Sequence, residues 1–260
     1  MDEAREPLPS RVEGLPDLPE EALAILESGL AVLGLGGLDE ASRRALTGHL
    51  RLLAAWTGAI NLTAVRDPVA AVRVLLLDSL TAVTLLRADG VDAFVDIGSG
   101  GGFPGLPIAI ALPARRVVLV DSVAKKARFL ATATDALGVA DRVEAFAGRA
   151  EALAADRRHR ERWPAVTARA VGGLAELAEL GLPLLAPGGI LVAWKRGDIG
   201  AEVEAGRAAV EVLGGGVPRS VPVDERLGLP GHRLVVIEKV RPTPTGYPRD
   251  PALRRRRPPG

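Results

Sequence analysis

The chain has 260 residues, 48% of them hydrophobic and 25% charged, a formal net charge of +1 and no cysteine. This is a soluble globular composition. It excludes a polycation, a disulfide scaffold, thiolate nucleophiles and Cys-ligated zinc, and leaves any nucleic-acid contact to a local basic patch. His49, His159 and His232 are too widely separated for metal-ligand spacing, so no metal is expected.

Residues 1–18 are rich in proline and mixed charge and read as a mobile lead-in. The acidic opening MDEAREPLPS suits neither a secretory signal nor a transit peptide. No uninterrupted apolar run approaches the roughly 20 residues of a membrane span. The expectation is a cytoplasmic monomer without a membrane anchor. Residues 19–90 have helical apolar spacing and form a helical extension. EEALAILESGLAVLGL is one helix, ended by glycines at 34–37. DEASRRALTGHLRLLAAWTG is a second, N-capped by Asp39 and stopped at Gly58, with Trp56 as a core residue. DPVAAVRVLLLDSLTAVTLLR is a third, with Asp67 at the N-cap and Pro68 at the first helical position.

From residue 91 the pattern changes. AFVDI (93–97), RVVLV (116–120), RVEAFA (142–147), AVTARAV (165–171), ILVAW (190–194) and RLVVIEKV (233–240) are short β-branched runs, and helical stretches separate most of them. Strand alternating with helix predicts an α/β, Rossmann-like, doubly wound parallel sheet over residues 91–240. The helixless stretch before 233 predicts a terminal hairpin and an antiparallel last strand. Residues 241–260, rich in proline and arginine, are expected to carry little regular structure.

The stretch VDIGSGGGFPG (95–105) places five glycines within eight positions where the first strand turns into a helix. In a doubly wound sheet, ligands bind at that edge. Gly100, Gly102 and Gly105 also satisfy G-x-G-x-x-G, and Asp121 ends the next strand, where an acid can hold ribose hydroxyls. An NAD-linked oxidoreductase therefore stays open on these residues. Asp96, just before the turn, would repel a diphosphate but engage a cationic ligand directly or through water. Phe103 and Pro104 interrupt the dinucleotide pattern. The two acids around an uncharged turn suit S-adenosylmethionine better than NAD.

Together, NLTAVRDP (61–68), LLDSL (76–80), VDIGSGGGFPGLPIAIALP (95–113), LVDSVAKKARFL (119–130), GRAE (148–151), ARAV (168–171), LLAPGGILVAWKRG (184–197) and PTPTGYPR (242–249) resemble the RsmG (GidB) family, bacterial 16S rRNA (guanine-N7)-methyltransferases. The resemblance covers about residues 40–250. It implies a class I methyltransferase core with an N-terminal helical extension, S-adenosyl-L-methionine as methyl donor, and 16S rRNA of the small ribosomal subunit as substrate. By motif it implies Gly98 and Phe103 in the first turn, Asp121 with Ser122 at the second strand, Ala150 and Glu151 after the third, and Arg169 after the fourth as cofactor contacts. Gly100, from the glycine pattern, and Asp96, on the charge argument above, join this set. Arg169, Lys195 and Arg196 are candidate donors to guanine O6, and Asn61 with Arg66 candidates for the substrate side. The family carries a basic residue and a histidine where this chain has Val74 and Leu75, with Arg73 beside them. Basic segments at 125–128, 194–197 and RRRR at 254–257 are possible RNA contacts, and DRRHRER (156–162) reads as a solvated helix end. A non-catalytic RNA-binding module on the same scaffold also stays open.

Overall fold

A computed structural model describes residues 7–256, with side chains through Arg254. Three helices come first: α1 (Glu20–Val32), α2 (Glu40–Thr57) and α3 (Pro68–Ala88). Asp39 caps α2 by accepting from Ser42 N at 2.7 Å, and Asp67 caps α3 by accepting from Ala70 N at 2.7 Å. A π-helical segment, Val72–Leu77, lies inside α3 and is followed directly by Asp78. By length and composition α3 could cross a membrane, but 56% of its apolar window is buried inside the protein. Its leucines and valines are the core under the sheet rather than a lipid-facing surface. The segment before α1 has no helix or strand, yet it is tied down. Trp56 Nε1 donates to the Pro9 carbonyl at 2.7 Å and Arg51 Nε to that of Pro16 at 2.9 Å. Pro9 and Pro16 of the expected lead-in are thus held against α2; residues 1–6 lie outside the described residues.

A seven-stranded sheet follows, in the order β3-β2-β1-β4-β5-β7-β6. Its strands are β1 (Ala93–Ile97), β2 (Arg116–Asp121), β3 (Val143–Ala147), β4 (Trp163–Arg169), β5 (Leu185–Arg196), β6 (Arg219–Pro222) and β7 (His232–Glu238). β1 to β5 run parallel, and β7 is antiparallel to both its neighbours, as the hairpin pattern predicts. The connecting helices are α4 (Gly105–Ala111), α5 (Ala124–Ala136), α6 (Ala150–Ala155), α7 (Leu174–Gly181) and α8 (Gly200–Val212). Strand side chains alternate between faces. Phe94, Leu119, Ala165 and Trp194 therefore join the core built with α1–α5, while Val95, Val120, Ala168 and Ala193 join the core beneath α6–α8.

The C-terminal tail departs from the sequence reading. Its described residues include a short helix, α9 (Pro251–Arg256), and are pinned at several points. Arg160 donates to the carbonyls of Tyr247 and Thr243 at 2.6 and 3.1 Å, and Arg249 pairs with the fully buried Glu179 at 2.6 Å. Proline and arginine content hid these long-range partners.

Candidate active site

The turn after β1 takes positive φ at Gly98, Gly100 and Gly102. Four of its five glycines also leave no room for a Cβ. A Cβ on Gly98 would lie 2.6 Å from Val171 Cγ2, and one on Gly105 would lie 2.4 Å from Leu119 Cδ2 and 2.8 Å from Asp96 Cβ. Asp121 ties the turn to the next element: its carboxylate accepts from Gly100 N at 2.9 Å and from Val123 N at 2.8 Å.

Asp96 requires a correction. It has no exposed surface; Oδ1 accepts from Thr167 Oγ1 at 2.7 Å and Oδ2 from Gly105 N at 3.2 Å. Burial pushes its carboxyl up to about 6, against the hydrogen bonds from Ser99, Thr167 and Gly105. Strand alternation turns Asp96 into the core under α4, so it pins the turn from below instead of reaching a ligand.

Beside the turn lies a cleft of about 160 Å³. Ile97, Val120, Val171 and Leu180 supply apolar surface, and Gly98, Ser122, Ala150 and Glu151 form its edge. Four of the predicted cofactor residues thus share one cavity. Phe103 does not line it with its ring, which is buried. That ring stacks on His49 at a centroid distance of 4.3 Å and carries the Arg169 guanidinium 5.4 Å above its centroid. His49 Nε2 lies 2.7 Å from the Gly101 carbonyl and so carries the ring proton. Burial holds this imidazole down at about 4.

Arg169 ends β4, and the chain turns sharply at Ala170, which has a φ of 57°. Arg169 Nη1 donates to the Val74 carbonyl at 3.0 Å and to Asp78 Oδ2 at 3.2 Å. The side chains of this pair are 17% and 4% exposed. Burial lowers the Arg169 pKa and Asp78 opposes that shift. The other Asp78 oxygen lies 2.9 Å from His232 Nδ1, and the Asp78 carbonyl accepts from Trp194 Nε1 at 2.7 Å. Asp78 therefore joins the helical extension to β4, β5 and β7.

Register explains which candidates meet. Arg169 pairs with Trp194, and Arg196 with His232. Because strand side chains alternate, these four share the α3 face, and Lys195 points to the opposite one. There Lys195 is held by the Gly172 carbonyl at 2.7 Å and Glu202 at 2.6 Å. Its expected grouping with Arg169 is corrected by strand parity. Arg196 is exposed at the C-terminal end of β5, and Asn61 and Arg66 are exposed on the loop between α2 and α3. That loop abuts the glycine turn, since a Cβ on Gly101 would meet the Leu62 carbonyl at 3.6 Å. Asp78 and His232 are the residues the sequence reading missed. Asp78 sat within the quoted LLDSL, but nothing local linked it to residues 91 and 154 positions away.

Solved structures share this fold. An O-methyltransferase from Bacillus cereus in complex with SAH aligns with a TM-score of 0.53 at 15% identity, covering 84% of this chain and all of that one. A methyltransferase from Geobacter sulfurreducens aligns with a TM-score of 0.51 at 17% identity, covering 88% and 100%. The fold is that of the class I methyltransferases. The family model for rRNA small subunit methyltransferase G (GidB) matches residues 42–226. Proteins named ribosomal RNA small subunit methyltransferase G are similar over most of the chain. The Roseiflexus sp. protein is 46% identical over 206 residues, 79% of this chain and 87% of its own length. The Alkaliphilus metalliredigens protein is 33% identical over 238 residues, 92% and 99%. The chain belongs to the rRNA small subunit methyltransferase G family.

Proposed function

We propose that this chain transfers a methyl group from S-adenosylmethionine to N7 of a guanine in 16S rRNA of the small ribosomal subunit. The observation that carries the reading is the fixed guanidinium of Arg169 beside the glycine turn. Arg169 spends Nη1 on Val74 and Asp78, and neither Nε nor Nη2 has a hydrogen-bond partner among the described residues. These donors suit guanine O6, which lies next to N7. N7 carries a lone pair and no proton, so the reaction needs no general base, and the nearby acids are engaged elsewhere: Asp96 on Thr167 and Gly105, Asp78 on Arg169 and His232.

The cleft fits the donor. Apolar walls at Ile97, Val120, Val171 and Leu180 suit the faces of an adenine ring, and Ser122 and Glu151 offer polar groups at its edge. Asp121, fixed by two main-chain N–H groups, stands at the end of β2 where ribose hydroxyls are held in such folds. Bound S-adenosylmethionine supplies a methyl group already activated on a sulfonium. The protein's part is to hold the base in line with it, which is worth about 7–11 kcal/mol in well-oriented systems. Membership of a methyltransferase family sets the NAD reading aside.

The test is transfer of labelled methyl from S-adenosylmethionine to unmethylated 16S rRNA or small subunits, with the modified position mapped. Label at guanine N7 is expected. Label at N2 or a ribose overturns the position, and no transfer to either substrate favours a binding module.

A further inference from the structure

The cleft has a wall that no motif of the sequence supplies. α9 comes back over α6 and α7, and Arg254 enters the cavity formed by Gly98, Ser122, Ala150 and Glu151. Its Nη1 lies 2.6 Å from Glu151 Oε1 and its Nη2 3.4 Å from Glu176 Oε1. The Arg254 and Glu151 side chains are only 9% and 13% exposed. Arg254 Nε is buried with no partner. Glu151 Oε2 accepts no hydrogen bond among the described residues, Arg254 and Arg149 both lying on Oε1. The segment leading to α9 is held by Arg160 and by the Arg249–Glu179 pair, so Arg254 is delivered by an anchored strap.

We propose that the C-terminal helix completes the cofactor site, with Arg254 positioning Glu151 and roofing the adenosine end of the cleft. This rests on the S-adenosylmethionine reading above. The chemistry follows from the unequal use of the carboxylate. Arg254 takes one oxygen of Glu151 and fixes the rotamer, leaving the other oxygen to accept from an exocyclic amine or a hydroxyl of the ligand. The guanidinium also displaces water from above the apolar walls, which strengthens that hydrogen bond. Arg254 thereby leaves the set of arginines expected to reach RNA, because its charge is already spent inside the protein.

The test uses the full-length chain and S-adenosylhomocysteine, with binding measured by calorimetry and dissociation by stopped-flow. The variants are Arg254→Ala and Arg254→Met, the second keeping the apolar stem. Both are expected to weaken binding about ten-fold, mainly through faster dissociation, as when one partner of a buried charge pair is removed. KM for rRNA should not move. Glu151→Ala combined with Arg254→Ala should bind no more weakly than Glu151→Ala alone. Wild-type affinity in Arg254→Met overturns the proposal. Tighter binding also overturns it, by showing that Arg254 competes with the ligand for Glu151. If the wild-type protein itself does not bind S-adenosylhomocysteine, the cofactor reading fails before the strap is tested.

Discussion

The two halves of the sheet edge use their carboxylates differently. On the β1–β2 side, each oxygen of Asp121 accepts from a main-chain N–H group, and Asp96 accepts from one such group and a threonine hydroxyl. They shape a turn. On the β4–β5–β7 side, Asp78 is shared by two side chains, Arg169 and His232, each brought from a distant part of the chain. It aims a charge. The difference teaches that the half proposed for the cofactor is built from local main-chain geometry, and the half proposed for the base from tertiary assembly, so each should fail in its own way.

The largest effect is expected at Asp78. Asp78→Asn leaves the Arg169 guanidinium without its counter-charge, so methyl transfer should fall about 10²–10³-fold, the scale for losing a preorganised donor. Unfolding stability should fall by about 3 kcal/mol, as for a broken buried pair. The affinity for S-adenosylhomocysteine should hold. Equal loss of affinity and activity would mean that the two halves are not separable.

Gly98→Ala should do the reverse. Forcing a Cβ into positive φ costs about 1–2 kcal/mol, and the new atom meets Val171 at 2.6 Å. Cofactor affinity should drop about ten-fold, and Val171→Ala in the same chain should recover part of it. Without that recovery the contact is not the cause.

A subtler contrast lies in pH dependence. His49 sits at about 4, below its ordinary value, so the folded state refuses a proton that the unfolded chain takes up. Its contribution is full above about 6.5 and is lost as pH falls toward 4. Asp96 sits at about 6, above its ordinary value. The folded state keeps a proton that the unfolded chain gives up, so its contribution is lost as pH rises from about 4 to 6. The two slopes oppose each other. Across pH 4–6 the melting temperature of His49→Gln should rise on acidification relative to wild type, and that of Asp96→Asn should fall more steeply. Parallel curves for all three proteins would show that neither group titrates in this window.

The smallest effect is expected at Arg196, exposed at the C-terminal end of β5. Arg196→Ala should weaken rRNA binding a few-fold and lower the salt slope by about one. An unchanged slope would remove Arg196 from the RNA surface.

Much of the local half was legible in the sequence because its signals are local. The glycines, the strand before them and Asp121 lie within 29 positions of one another (93–121), and every strand but β6 announced itself as a short run bounded by turn residues. Asp96 was placed correctly in its strand but given the wrong task. An acid before a glycine turn reads alike whether it faces a ligand or the helix above, and only the position of α4 decides. Lys195 and Arg196 were adjacent basic residues in sequence, yet strand parity sends them to opposite faces. Asp78, His232 and Arg254 were not legible as site neighbours, because their partners are 78 to 154 residues away along the chain.

The Asp78 junction has a consequence for when the site exists. During synthesis from the N-terminus, α3 and the β1 turn are made long before β7, and His232 follows Asp78 by 154 residues. Closing so long a loop is entropically costly and gains nothing until the sheet provides β5 as a partner for β7. The acid is therefore made first, its arginine second and its histidine last. A nascent chain stalled before β7 already holds the glycine turn in its sequence but has only two members of the trio, so the Asp78 junction reaches its final form only once β7 has been made.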